Sequence, residues 1–444
     1  MTSVAPTLSD YRALRSTGTP SFFALPPAVE LLRDRVREFA ETQLRPAAER
    51  ADDGRGGFDQ RVLDAGHDIG LLRMIVPEEY GGLGHGILGT AVVMEELAAV
   101  CANSALVFGA NVLAQAAVLL SGNPLLQSRY LTTFADEEPA LACNVVTEET
   151  TGTTEVVLQG RFALVDDGLV ARRDGDHYII NGHKRHVTNG RLASWACVYA
   201  NLVGRSGSVG LTAFIVPLDA EGVTRSDTPD GPGHGPCLEA HLDFTEVRVP
   251  AENVVAGEGN GEHLSALQSN LIRASVAAIS TGVARGAFEI AHRWSAHRRL
   301  GGLPLFRHQS GARKLAEMSS KIEAARLLYL QAAHQVDNLL PTPSYGPAVA
   351  KLFADRIAIE VAEEAMSVLG SRAYARECGL ERYVRDAFGT LTHEGTPETL
   401  AQEIADALYP GGRPYSLDPP AVPVATDAPR PVVRRLGPSE SGGW

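Results

Sequence analysis

Cysteine is scarce in this chain of 444 residues: Cys101, Cys143, Cys197, Cys237 and Cys378 are scattered, odd in number and never spaced as C-x-x-C. Such a set builds neither a disulfide framework nor a zinc site, so no metal centre is expected and reduced thiols in the cytoplasm are the default. Long hydrophobic runs are missing as well. The longest apolar segments are broken by Gly, Asn or charge well before the ~20 residues a membrane helix needs, and no basic stretch leads into an apolar run at the start. No membrane association is expected. Basic charge is in deficit, 40 Lys and Arg against 53 Asp and Glu giving a formal net charge of -13. That excludes a nucleic-acid surface, which needs a basic stripe to neutralise phosphates, while leaving room for a local basic pocket for a phosphorylated carrier. No G-x-G-x-x-G follows a strand, so a Rossmann unit has little support.

What is present is a globular composition, 44% hydrophobic, in a chain long enough for two or three domains. Residues 1–27 are polar and proline-punctuated and read as an N-terminal extension. Residues 28–140 read as a helical domain: Leu32, Val36, Phe39, Ala40 and Leu44 recur on one helical face, and 91–120 is apolar over most of its circumference, as in helices buried between neighbours. Near Ala140 the pattern changes. A hairpin over 170–173 and 177–181, turning at Asp174-Gly175-Asp176, is followed by strands over 196–203, 211–218 and 241–249, the last alternating Leu242, Phe244 and then Val247, Val249 across a one-residue break in phase. These make 141–258 a compact β domain. Helical periodicity returns over 267–294, 308–336, 347–369 and 399–408, and antiparallel packing of these four is the economical arrangement for a C-terminal domain at 259–410. Residues 411–444 hold seven of the 26 prolines and read as a flexible tail, with a docking segment as the alternative. The fold class is mostly α with a central β domain.

His393-Glu394-Gly395-Thr396 carries the chemistry. Thr396 suits an N-cap, Pro397 the first helical position and Glu398 the helix dipole, so Glu394 stands on a tight turn before a helix start with backbone N–H groups beside it. That placement suits proton abstraction next to a carbonyl. A solvated loop carboxylate is the plain alternative.

Other segments fall in order around it. Val76-Pro77-Glu78-Glu79-Tyr80-Gly81-Gly82-Leu83-Gly84, Thr147-Glu148, Tyr178-Ile179-Ile180-Asn181-Gly182-His183-Lys184 leading to Val187-Thr188-Asn189-Gly190, and Arg298 ahead of Pro304-Leu305 and His308-Gln309 precede Arg385-Asp386-Ala387 and the Glu394 turn. Over 28–408 this series resembles the acyl-CoA dehydrogenase family. The resemblance implies an N-terminal α-helical domain, a small β domain and a C-terminal four-helix bundle. It also implies FAD, with Glu394 taking the α proton of an acyl thioester and flavin N5 accepting the β hydride. It places Val146 and Thr147 along the flavin ring, Thr188 at N5, His186 where a tryptophan stacks beside the ring, and Gln309, Gly370 and Thr396 at further FAD contacts. Arg298 matches an arginine that pairs with the FAD pyrophosphate across a subunit interface, which implies a homodimer or homotetramer. Thr153 matches the serine that meets the pantetheine arm, and Asn270 with Arg273 the D-x-x-R pattern that contacts CoA.

The departures are His186, Gly301 where a phenylalanine is common, Ser367 where a glutamine is expected, His393 in place of tyrosine, Asn270 in place of aspartate, and an extra stretch at 156–167. They favour a specialised acyl group, carried on CoA or on an acyl carrier protein, in secondary metabolism. An electron-transfer flavoprotein or similar acceptor is the implied partner. A flavin-dependent oxidase or monooxygenase on the same fold, and a non-catalytic acyl-thioester-binding homologue, are the alternatives.

Overall fold

The computed structural model describes residues 25–52, 58–149, 168–204, 207–228, 238–338 and 345–409. Helix α1 (Pro27–Phe39) passes through a π turn, Ala40–Leu44, into α2 (Arg45–Asp52). The turn falls just ahead of Pro46, which has no N–H to give to the carbonyl four residues back. Then come α3 (Gln60–Asp68), α4 (Gly86–Ala98), α5 (Ala102–Leu120) and α6 (Pro124–Tyr130). Buried residues lie on nearly every side of α4 and α5, as their mostly apolar sequence implies. By length and composition α5 would cross a membrane, but here it is a core helix.

A sheet of eight strands follows. Its members are β1 (Ala142–Val145), β2 (Val170–Asp174), β3 (His177–Val187), β4 (Trp195–Gly204), β5 (Gly207–Pro217), β6 (Val223–Asp227), β7 (Ala240–Pro250) and β8 (Val254–Val255). The order is β6-β7-β3-β2-β4-β5-β8, with β1 beside the first half of β4 and β2 beside the second. The hairpin expected at 170–181 is β2–β3. The break in phase on β7 is a bulge: Phe244 faces Gly182 and Val247 faces Ile180, so β7 carries one extra residue, and Glu246 there has φ 52°. The bulge lets Phe244 and Val247 both point into the core.

Helix α7 (Gly261–His297) leads through a small hairpin, β9 (Arg299–Leu300) and β10 (Leu303–Pro304), into α8 (Gln309–Asp337), α9 (Gly346–Leu369), α10 (Leu380–Gly389) and α11 (Pro397–Leu408). The last two helices both pack on α9, and of these only α11 is foreseen from periodicity. In the β9–β10 turn Gly301 and Gly302 have φ 55° and 87°. A two-residue turn with both φ positive excludes a bulky side chain, which accounts for glycine at 301.

Asp337, at the end of α8, accepts from the N–H groups of Ile87 and Leu88 at 2.7 and 2.8 Å and caps α4. A second tie lies deeper. Glu95 on α4 takes Arg326 of α8 at 2.7 and 2.9 Å, Arg285 of α7 at 3.0 Å and the Tyr329 hydroxyl at 2.5 Å. Glu96 beside it binds Arg285 at 2.8 Å and Arg37 of α1 at 2.6 Å. The N-terminal helices are thus fixed to the bundle by buried charge as well as apolar packing.

Candidate active site

Glu394 occupies a left-handed backbone conformation, φ 51°, followed by Gly395 at φ 109°. An L-residue there costs about 1–2 kcal/mol and stays only where its surroundings fix it. The turn is fixed from two sides. Arg273 on α7 donates through Nε to the Glu394 carbonyl at 3.1 Å, and its two terminal nitrogens both bind Glu403 of α11. Lys351 on α9, fully buried, donates to the carbonyls of Thr390 and Gly395 at 3.2 and 3.3 Å and to Asp355 at 2.5 Å. Asp355 in turn accepts from Ser280 at 2.7 Å.

Glu394 is half-buried as a residue, but its carboxylate lies deep among protein atoms and accepts from the Ser269 hydroxyl at 3.2 Å. Burial raises this carboxyl above the ordinary range, opposed by Arg273, the Ser269 hydrogen bond and Lys351. The N–H groups of Glu394, Gly395 and Thr396 have no acceptor among the described residues. Thr396 is the N-cap of α11, its Oγ1 accepting from the Thr399 N–H at 3.4 Å, with Pro397 in the first turn. A carboxylate of raised basicity therefore sits beside consecutive free N–H groups at a helix start, a concavity suited to an oxygen carrying negative charge.

The expected flavin-side residues lie in the β domain. The chain leaving β1 runs along β3, where Arg185 N–H donates to Thr147 O at 2.9 Å and Lys184 Nζ donates to Val146 O at 2.7 Å. Lys184 also pairs with Glu148 at 2.8 Å, both nearly inaccessible, and Glu148 accepts from the Leu169 N–H at 3.0 Å. Burial pushes the Lys184 ammonium down to about 8, against the pull of Glu148. Thr188 follows β3 in a turn whose Asn189, φ 65°, is buried and donates to Val107 O at 2.9 Å. A Cβ on Gly190 would stand 2.9 Å from Val187 O, so that turn admits only glycine. Val146, Thr147 and Thr188 thus share one edge of the β domain. His186 lies on it too, exposed, with φ 52° and its Nδ1 2.7 Å from Glu239. It packs edge-on against His241 rather than presenting a broad ring as a tryptophan would.

Arg298, Gln309 and Gly370 are exposed and stand elsewhere, at the ends of α7 and α9 and the start of α8. The Lys314–Ser367 hydrogen bond of 2.6 Å shows that the start of α8 and the end of α9 meet at one end of the bundle. From Arg273 to Arg298 is 25 residues, nearly all along α7, or about 37 Å at 1.5 Å per residue. A side chain cannot bridge that distance. A Cβ on Gly301 or Gly370 would stand in open space, so the exposed Arg298 guanidinium has room around it for an anionic group.

Two expectations about the carrier change in content. Arg273 is buried, and its three donor nitrogens are directed to Glu403 and Glu394 O, which makes it a support of the turn. Asn270 is partly buried on the same helix, and its Oδ1 has no partner among the described residues. Thr153 and the stretch 156–167 lie outside the described residues, as do most of the N-terminal extension and the whole C-terminal tail. Sequence reasoning missed Ser269, Glu403, Lys351 and Asp355. The last two were visible as an i, i+4 pair on a face that continues with Ala358 and Ala362, a position where charge is not solvated.

The chain matches the descriptions "Acyl-CoA dehydrogenase, N-terminal domain" over residues 26–138, "middle domain" over 143–247 and "C-terminal domain" over 259–409. A cyclohex-1-ene-1-carbonyl-CoA dehydrogenase of Geobacter metallireducens is 33% identical over 381 residues, 85% of this chain and 97% of that one. Butyryl-CoA dehydrogenase from Megasphaera elsdenii superposes with a TM-score of 0.81 at 30% identity, covering 87% of this chain and 99% of that one. A prolyl acyl carrier protein oxidase superposes at 0.78 with 25% identity, covering 87% and 100%.

Proposed function

This chain belongs to the acyl-CoA dehydrogenase family, oxidoreductases acting on CH–CH groups, and we propose that it desaturates an acyl thioester with Glu394 as the base for the α proton. FAD is the cofactor of the family and supplies the acceptor for the β hydride. The observation that carries the reading is the Glu394 carboxylate, raised in basicity by burial and held in a left-handed turn beside unpaired N–H groups. Its own N–H is offered to the thioester oxygen, where charge builds as the α proton leaves, and Ser269 steadies the carboxylate. Val146, Thr147, Thr188 and His186 of one copy, with Thr396, would hold the flavin end. Arg298, Gln309 and Gly370 of a second copy would hold the other. An electron-transfer flavoprotein is the partner this implies.

Incubation with a panel of acyl-CoA and acyl-carrier-protein thioesters is expected to give a product lacking two hydrogens, read by mass spectrometry. A panel spanning linear, branched and cyclic acyl groups that yields none would refute the reading. The prolyl acyl carrier protein oxidase among the similar structures favours a second reading, in which oxygen is the electron acceptor. Stoichiometric oxygen consumption with no added acceptor selects it.

The distance between Glu394 and Arg298 leads to a prediction of assembly. The FAD-loaded protein should sediment as a homodimer or homotetramer, and Arg298→Ala should weaken FAD retention at least tenfold with the fold intact, since the exposed Arg298 side chain makes no hydrogen bond or ion pair among the described residues. An active FAD-loaded monomer would contradict it.

A further inference from the structure

Among the described residues Lys351 and Asp355 form an ion pair with no exposed surface on either side chain, on a helix otherwise packed with alanine, valine and isoleucine. A pair of this kind contributes little net stability, because desolvation offsets the attraction, so its position calls for another account. The geometry points to Lys351 as a positioning residue for Glu394, an inference that rests on the proposed role of Glu394 as base. Its ammonium has three donors, and all are used: one on Asp355, one on Thr390 O and one on Gly395 O. Thr390 and Gly395 are the two ends of the segment that carries Glu394. One buried cation therefore closes that segment into a loop, and Arg273 fixes the Glu394 carbonyl between the two tied ends. With the carbonyls of Glu394 and Gly395 drawn toward the bundle, the trans peptides turn the N–H groups of Gly395 and Thr396 the opposite way. The left-handed Glu394 and the outward N–H groups are thus consequences of the same two cations. Burial lowers the Lys351 ammonium from its ordinary range, and Asp355 beside it opposes that shift.

The test reads proton abstraction without turnover. Phenylacetyl pantetheine has α hydrogens and no removable β hydrogen, so its exchange with deuterium in the presence of the FAD-loaded protein, followed by NMR, reports the base alone. In Lys351→Met/Asp355→Leu the pair is replaced by apolar side chains, a change that commonly preserves folding. Exchange at saturating thioester is expected to fall about 10–100-fold, as for a misplaced catalytic group, while the concentration for half-saturation and the FAD content stay within twofold of wild type. Ser280→Ala, which disturbs the same cluster but leaves the two carbonyl bonds, should exchange at the wild-type rate. Should the first variant fail to fold, Lys351→Met/Asp355→Asn, which keeps the acceptor for Ser280, carries the same expectation. Wild-type exchange in a folded double variant overturns the inference. So does an equal loss in Ser280→Ala, which would mark a general effect of core disruption. Undiminished exchange in Glu394→Gln would instead remove the underlying reading, leaving these two failures distinguishable.

Discussion

Glu394→Gln is expected to keep the fold and the FAD, and to lose about 10²–10⁴-fold of thioester-dependent flavin bleaching in a stopped-flow experiment. The amide is nearly isosteric, its Oε1 or Nε2 can still meet the Ser269 hydroxyl, and the clamps from Arg273 and Lys351 act on backbone carbonyls that the substitution leaves untouched. What it removes is the proton acceptor. A solvated surface carboxylate would cost almost nothing on the same change. The pH dependence follows in sign from the burial of this group. Its carboxyl is raised above the ordinary range, so the wild-type rate should fall as pH drops through a value higher than that of a free glutamate. The Gln variant should lack that limb. A Glu394→Gln protein that bleaches at the wild-type rate would take the residue out of the mechanism.

The fold was legible wherever a local period encodes it. The one-residue slip between Phe244 and Val247 reads directly as the bulge that keeps both on the core face, and the Thr396-Pro397 pair reads as the helix start it forms. Short elements were not legible. β1 has four residues and β6 five, mostly exposed, too few to show a period. α10 is interrupted from α9 by two short 3-10 segments and was merged into connecting chain. In the site, Glu394 stands out because its turn residues have conformational meaning. Its supports do not. Lys351, Glu403 and Ser269 lie between 9 and 125 residues from the turn in sequence, and a charge on a helix reads as solvated until the facing element is known. The same applies to Glu95 and Glu96, which lie inside the apolar run of 91–120 that was read as simply buried.

Those two carboxylates carry the second large expected effect. Glu95→Ala should destabilise the protein by about 3–5 kcal/mol, because it leaves Arg326 and Arg285 buried with fewer counter-charges and the Tyr329 hydroxyl without its acceptor. In a thermal scan that corresponds to a fall in apparent Tm of roughly 3–5 °C for a chain of this size. Double substitution of Glu95 and Arg326 by apolar residues should cost less than Glu95→Ala alone, since no charge is then stranded. Acid should act through the same group. Burial by itself would raise the Glu95 carboxyl, but Arg326 and Arg285 overcome it, together with the hydrogen bonds from Arg326 and Tyr329, and hold it at about 2 against an ordinary 4.5. The unfolded chain therefore binds more protons than the folded one between these values, so stability rises with pH across the window. Glu95 contributes in full above about 4.5, and that contribution, about 3 kcal/mol at most, is lost as pH falls toward 2. Because Glu95 joins α4 to α7 and α8, the first consequence of acid or of Glu95→Ala should be loosening of the N-terminal helices from the bundle. Hydrogen exchange should then show amides of α4 losing protection before those of β4, whose strand has no buried charge to neutralise; simultaneous loss in both would place the acid-sensitive joint elsewhere.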